Sequence, residues 1–162
     1  MVDAANAMAK VVQLNGRRLV GKTRLQKTLY FLEELEVGFG LGFDYYHYGP
    51  YSEELSIATD DAQALSLIDI DWKVTSAGTK YAVFSSKKEQ YEDELDSRRQ
   101  KILKYLSEYD AITLEIAATA DYLSKNGFPD RKWEETRRRK PEKTTEERAG
   151  KAEELLQQLY SL

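Results

Sequence analysis

The sequence predicts a mainly α protein: three helices and a small β element in the first half, then a helical extension. Three observations carry this. Apolar residues recur at helical spacing through most of the 162 residues. Ser, Thr and Asp residues stand ahead of several of those stripes as caps. The clear alternating run is confined to LSLIDIDWKVT at 65–75.

The elements follow in order. Ala4 to Leu14 is rich in helix formers and is stopped by Asn15-Gly16. Thr23 caps a second helix to about Val37, with Leu25, Leu29, Leu32 and Leu35 as its buried stripe. FDYYHYGPYSEEL is extended up to Gly49-Pro50, because a proline pushes the preceding residue out of the helical region. Ser52 then caps a third helix to about Leu65, with Leu55, Ile57, Ala58, Ala62 and Leu65 inward and Glu53 and Glu54 at its positive end. The 65–75 strand is followed by a short returning strand at Tyr81 to Phe84. Beyond it, Lys87 to Tyr109 reads as one charged amphipathic helix with Tyr91, Leu95, Ile102, Leu103 and Leu106 inward. Asp110 caps the next, whose stripe is Ile112, Ile116, Ala120 and Leu123 and whose stop is Asn126-Gly127. Pro129-Asp130 opens a short helix holding Trp133, and Thr144 with Glu147 forms a capping box for the last. Two parts, 1–84 and 85–162, are expected to pack as one unit.

Composition narrows the function classes. The absence of cysteine removes disulfides, thiolate nucleophiles and sulfur-ligated zinc. His47 is the single histidine, so no multi-imidazole metal site is expected, and the catalytic alphabet is thin. No apolar run approaches the roughly 20 residues that a spanning helix needs. MVDAANAMAK lacks the pattern of a secretory signal, so no membrane partner and a cytoplasmic location are expected. Net charge is −4, but unevenly spread. Residues 10–27 hold Lys10, Arg17, Arg18, Lys22, Arg24 and Lys27 without an acid, whereas 33–71 hold ten acids without Lys or Arg. A second basic run at 131–143 contains Arg137, Arg138, Arg139 and Lys140.

GRRLVGKT at 16–23 matches the G-x-x-x-x-G-K-[ST] spelling of a phosphate-binding loop. That loop works between a buried strand and a helix, within a parallel sheet. Here a helix-like stretch precedes it and no alternating βα units follow, so it is read as a connection running into the second helix. No cofactor and no enzymatic activity are expected.

Three helices and a small β element describe a winged-helix-like order. VTSAGTKY at 74–81 looks like the wing segment of small regulators. In that order the third helix would enter the major groove of DNA. It carries Glu53, Glu54, Asp60 and Asp61 without a cation, and phosphates repel such a helix. A DNA-binding regulator using Arg17, Arg18 and Arg137 to Lys140 is the alternative. For the arginine cluster, a solvated helix end with favourable dipole charges is the plain account.

Thr23, Leu25, Gln26, Lys27 and Tyr30, followed by Tyr48-Gly49-Pro50-Tyr51-Ser52, resemble a pattern of the YwgA-type uncharacterised prokaryotic proteins and, more distantly, of the SocA-like Panacea antitoxin domain. LEIAATADYLSKNG and KPEKTTEE also look like the YwgA pattern. YwgA-type proteins have no assigned reaction. The Panacea resemblance implies an antitoxin module that binds a protein toxin, by analogy of fold rather than of site.

Tyr45, Tyr46, His47, Tyr48 and Tyr51 read two ways: as aromatics packing on the core, or as rigid amphipathic anchors at a protein interface. The expected function is a protein-binding module that meets a basic partner, such as a nucleic-acid-targeting toxin, through complementary charge. The face expected to do so combines Lys22, Arg24 and Lys27 with Tyr48, Tyr51, Glu53 and Glu54.

Overall fold

Asp3 opens the first helix, α1 (Ala4–Leu14), by accepting the Asn6 amide at 2.9 Å. The computed structural model describes residues 3–162. The protein is mainly α, with seven helices among the described residues and two small antiparallel sheets. Asn15 and the left-handed pair Gly16 (φ 74°) and Arg17 (φ 66°) end α1. The chain then enters β1 (Arg18–Val20) and α2 (Lys22–Glu34). The hairpin β2 (Asp44–Tyr46) and β3 (Gly49–Tyr51) precedes α3 (Glu53–Ala64), and β4 (Ile68–Val74) pairs with β5 (Lys80–Ser86). Strand β5 lies between β4 and β1, with Val83 opposite both Val20 and Asp71. The helices α4 (Asp96–Leu106), α5 (Ala111–Lys125), α6 (Lys132–Arg139) and α7 (Glu146–Leu159) follow.

One apolar cluster joins both halves: Met8 and Val12 of α1, Leu29 and Phe31 of α2, Phe84 of β5, Ile116 of α5 and Leu155 of α7 all lie in it. Each such side chain contributes about 1.5–3 kcal/mol by leaving water. Helix α5 runs through the middle, and its residues 113–121 are buried without a break. Among the described residues no helix is long and apolar enough to cross a membrane.

Several sequence expectations change. GRRLVGKT is a strand and the first turn of α2: Arg18 to Val20 pair antiparallel with β5, and the Gly21 amide donates to the Ala82 carbonyl at 2.8 Å. These backbone groups serve the sheet ladder rather than an open loop.

The helix expected over 87–109 begins only at Asp96, and Tyr91, expected inward, is 93% exposed. Polar side chains from elsewhere take over the backbone of 87–95. Gln13 accepts the Gln90 amide at 2.7 Å, and the buried Lys10 ammonium donates to the Tyr91 carbonyl and pairs with Asp96 at 2.6 Å. Meeting these groups from α1 requires an extended path.

The cap of α7 is Thr145, whose side chain accepts the Arg148 amide at 3.2 Å. Thr144 is instead buried, and its amide closes a turn onto the Lys140 carbonyl. Ile57 and Leu65, expected inward on α3, are 57% and 62% exposed. Ile112 is also exposed, since Asp110 caps α5 with that residue turned to solvent.

Candidate functional site

The hairpin β2–β3 and the start of α3 are positioned by consecutive residues of α2. Gln26 is buried and reads the backbone of Ser52 in both directions: Nε2 donates to the Ser52 carbonyl at 3.0 Å, and Oε1 accepts the Ser52 amide at 2.8 Å. Ser52 in turn caps α3, its Oγ accepting the Leu55 amide at 3.1 Å. One side-chain amide therefore fixes where α3 starts, and with it the direction of the acidic helix.

Lys27 is the next residue and is 1% exposed. Its Nζ donates to the Pro50 carbonyl at 2.7 Å. Burial pushes the ammonium down to about 8; Glu115 opposes the shift, and Lys140 and Lys143 add to it. Glu115 projects from α5 into this cluster and pairs with Lys140 and Lys143, each at 2.9 Å. Lys140 also donates to the His47 carbonyl at 3.0 Å. Both carbonyls that frame the hairpin turn, those of His47 and Pro50, are thus held by buried ammonium groups.

Gly49 sits at φ 91° directly beneath the turn, and a Cβ there would run into the Thr119 side chain of α5. Pro50 is tolerated in β3 because this two-stranded sheet leaves an edge that needs no N–H. Further along α2, Tyr30 donates to Asp121 at 2.7 Å, an acceptor that Tyr160 and Lys125 also share. Burial first and Asp121 second raise the Tyr30 phenol, which stays neutral.

The structure separates the residues expected on the partner face. Arg24 turns inward and donates to the Leu106 and Tyr109 carbonyls at the end of α4, and Lys27 is enclosed as described. Lys22 stays exposed, its ammonium 4.9 Å from the Trp72 ring. Beside it Tyr51, half-buried, meets Tyr46 edge-on at 5.2 Å, and Glu53 and Glu54 are exposed in the first turn of α3. Tyr48 projects from the hairpin tip, 57% exposed, toward Lys143 at 4.9 Å.

Of the residues expected to meet nucleic acid, Arg17 pairs with Glu89, while Arg18 is exposed. Arg138 and Arg139 both clamp Glu135, and their bonds hold its carboxyl down to about 2. Arg137 reaches the Thr144 carbonyl and Lys140 is buried on Glu115.

Glu115, Asp121 and the Gln26 clamp escaped the sequence reading. A usable signal was present for the first two, since a carboxylate inside LEIAATADYL must either be paired or face out. Among the described residues no three His, Asp or Glu side chains converge to hold a metal ion.

An open groove of about 720 Å³ lies between the first turn of α1 and α3. Ala4, Ala5, Ala58 and Ala64 contribute small side chains, exposed Ile57 and Leu65 provide apolar surface, and Asp3, Glu53, Glu54 and Asp61 supply charge.

Compared with protein-family models, the chain matches none. Among curated proteins, a stretch of 43 residues is 35% identical to "Uncharacterized protein YwgA" of Bacillus subtilis (strain 168). The match covers 26% of this chain and 26% of that protein. The chain is therefore similar to YwgA over about a quarter of the length of each.

Proposed function

We propose that the chain is a protein-binding module of antitoxin type, built on a winged-helix plan, that meets a basic protein and acts by occlusion without chemistry of its own. The observation that carries this reading is the exposed surface of α3. Support for the plan comes from the order α1, β1, α2, α3, β4, β5, with β5 between β1 and β4. In such a plan α3 is the helix offered to DNA. Here its charged groups are Glu53, Glu54, Asp60 and Asp61, all exposed and without a cation on the helix. A phosphate backbone is repelled by that array, whereas a basic protein surface is attracted and oriented by it.

The antitoxin class rests on the Leu-Gln-Lys helix and the Tyr-Gly-Pro-Tyr-Ser turn, which resemble those of Panacea domains. Regulation through DNA at the arginine cluster is disfavoured by the pairing of Arg138 and Arg139 with Glu135 and of Lys140 with Glu115.

Capture from the native host at low and moderate salt tests the reading. The expected result is a stoichiometric basic protein, lost when Glu53, Glu54, Asp60 and Asp61 are replaced together by Lys in a variant that keeps its helical circular dichroism. Salt-dependent, sequence-specific DNA binding that vanishes on replacing Arg137 to Arg139 would overturn it.

A further inference from the structure

We infer that the groove between the first turn of α1 and α3 seats a basic amphipathic helix of the partner protein; this rests on the reading of the chain as a protein-binding module. Glu54, Ile57, Asp61 and Leu65 follow one another at three- and four-residue spacing, so they form a single stripe along α3. Apolar and acidic side chains alternate within that stripe. Ile57 and Leu65 are more than half exposed, although the same helix buries Leu55 and Ala62 on its other side.

The trough exists because Ala4, Ala5, Ala58 and Ala64 are small where α1 and α3 approach. A helix laid in such a groove inserts apolar anchors at i, i+3 or i+4, and i+7. Among the described residues four carboxylates and no Lys or Arg line the groove, so Lys or Arg at the positions flanking those anchors would match it in charge. Helix α3 spans 12 residues, or about 18 Å, which matches roughly three turns of a partner helix.

A second copy of this chain does not offer that occupant. Among the described residues, the exposed bases of α4 (Arg98, Lys101 and Lys104) share a helix whose Ile102, Leu103 and Leu106 are already buried. On α6, Arg138 and Arg139 are paired with Glu135, and Arg137 reaches the Thr144 carbonyl.

The test uses a synthetic peptide of about 16 residues with Leu at the anchor positions and Lys elsewhere, a scrambled peptide of the same composition, and a Glu-for-Lys version. Binding is followed by calorimetry and by amide chemical shifts of the full chain. The Leu/Lys helix is expected to bind one to one, with shifts clustered on residues 3–5 and 53–65. It should bind about tenfold tighter than the scramble, a difference near 1.4 kcal/mol.

Ile57→Ser with Leu65→Ser should remove that advantage. Glu54→Gln with Asp61→Asn should weaken binding and flatten its salt dependence. Equal binding of the scramble, or shifts mapping elsewhere, would overturn the groove assignment, as would self-association of the free chain that Ile57→Ser with Leu65→Ser abolishes. Capture of the host partner that survives Ile57→Ser with Leu65→Ser but not the fourfold charge reversal would overturn the groove alone and leave the module reading standing.

Discussion

Replacing Gln26 by Leu deletes the two-way contact with Ser52 while keeping the side-chain volume close to that of glutamine. The two lost bonds, of 2.8 and 3.0 Å, are not equivalent. The Ser52 carbonyl keeps a partner, because it also accepts the Ser56 amide at 3.2 Å. The Ser52 amide has Gln26 as its acceptor and sits in a fully buried residue, so it is orphaned. An orphaned buried donor costs about 1–3 kcal/mol and a lost second bond about 0.5–1.5 kcal/mol, giving roughly 1.5–4.5 kcal/mol together.

For a chain of this size, at about 3 °C per kcal/mol, that is a fall in Tm of roughly 5–14 °C. Urea unfolding read by circular dichroism measures the first figure and a thermal scan the second. Amide exchange at Leu55 should accelerate selectively, since Ser52 caps that residue. Gln26→Glu is the control: its carboxylate still accepts the Ser52 amide but faces the carbonyl as a second acceptor, so its deficit against wild type should shrink as the pH falls and the acid regains a donor. A Gln26→Leu change below about 0.5 kcal/mol would show that the clamp does not hold the start of α3.

The remaining predictions concern the other side of the hairpin. Glu115→Gln strips the carboxylate from Lys140 and Lys143 and should destabilise by about 3–5 kcal/mol in urea, more than either lysine changed to Met. Lys27 has a folded pKa near 8, below its unfolded value of 10.5, so the unfolded chain binds more protons between those pH values. Wild-type stability relative to Lys27→Met should therefore rise from pH 7.5 to 9.5, by on the order of 2 kcal/mol; a flat difference would contradict the burial of a charged ammonium. Gly49→Ala combines left-handed strain of about 1–2 kcal/mol with the Thr119 collision, and adding Thr119→Ala should return only the collision part.

Much of the helical layout was legible because caps and stripes are local. Asp110, Ser52 and Asn15 do what their positions suggested, and the run at 65–75 contains β4. What was not legible depends on distant partners. The segment 87–95 has helical periodicity, but Lys10 and Gln13 of α1 draw its backbone into another path, and no window around Tyr91 contains that information. Strand β1 has three residues and exists because β5 pairs with it. Thr144 and Thr145 are equally good caps by composition, and burial of the first chooses the second.

At the candidate site the spacing of Leu-Gln-Lys and Tyr-Gly-Pro-Tyr-Ser was visible, but not that the side chains of one read the backbone of the other. Arg24 and Lys27 looked like surface charge for the same reason. Their acceptors are the carbonyls of Leu106, Tyr109 and Pro50, which a list of side chains does not reveal.

An isolated two-stranded hairpin is marginal in water. β2–β3 is ordered because its backbone is held from two directions, by Gln26 and Lys27 on α2 and by Lys140 around Glu115 of α5, with Gly49 letting it approach Thr119. Such a support is polar, and a polar support transmits failure more sharply than an apolar one, because losing one partner strands the other inside the protein. The hairpin leads directly through Ser52 into α3. The α6–α7 connection, where Lys140 and Lys143 arise, is thus joined to the first turn of the acidic helix by a continuous run of contacts through the hairpin. Glu115 and Lys140 are buried, so substitutions there reach the start of α3 through the backbone of the hairpin rather than through side-chain contact with the helix.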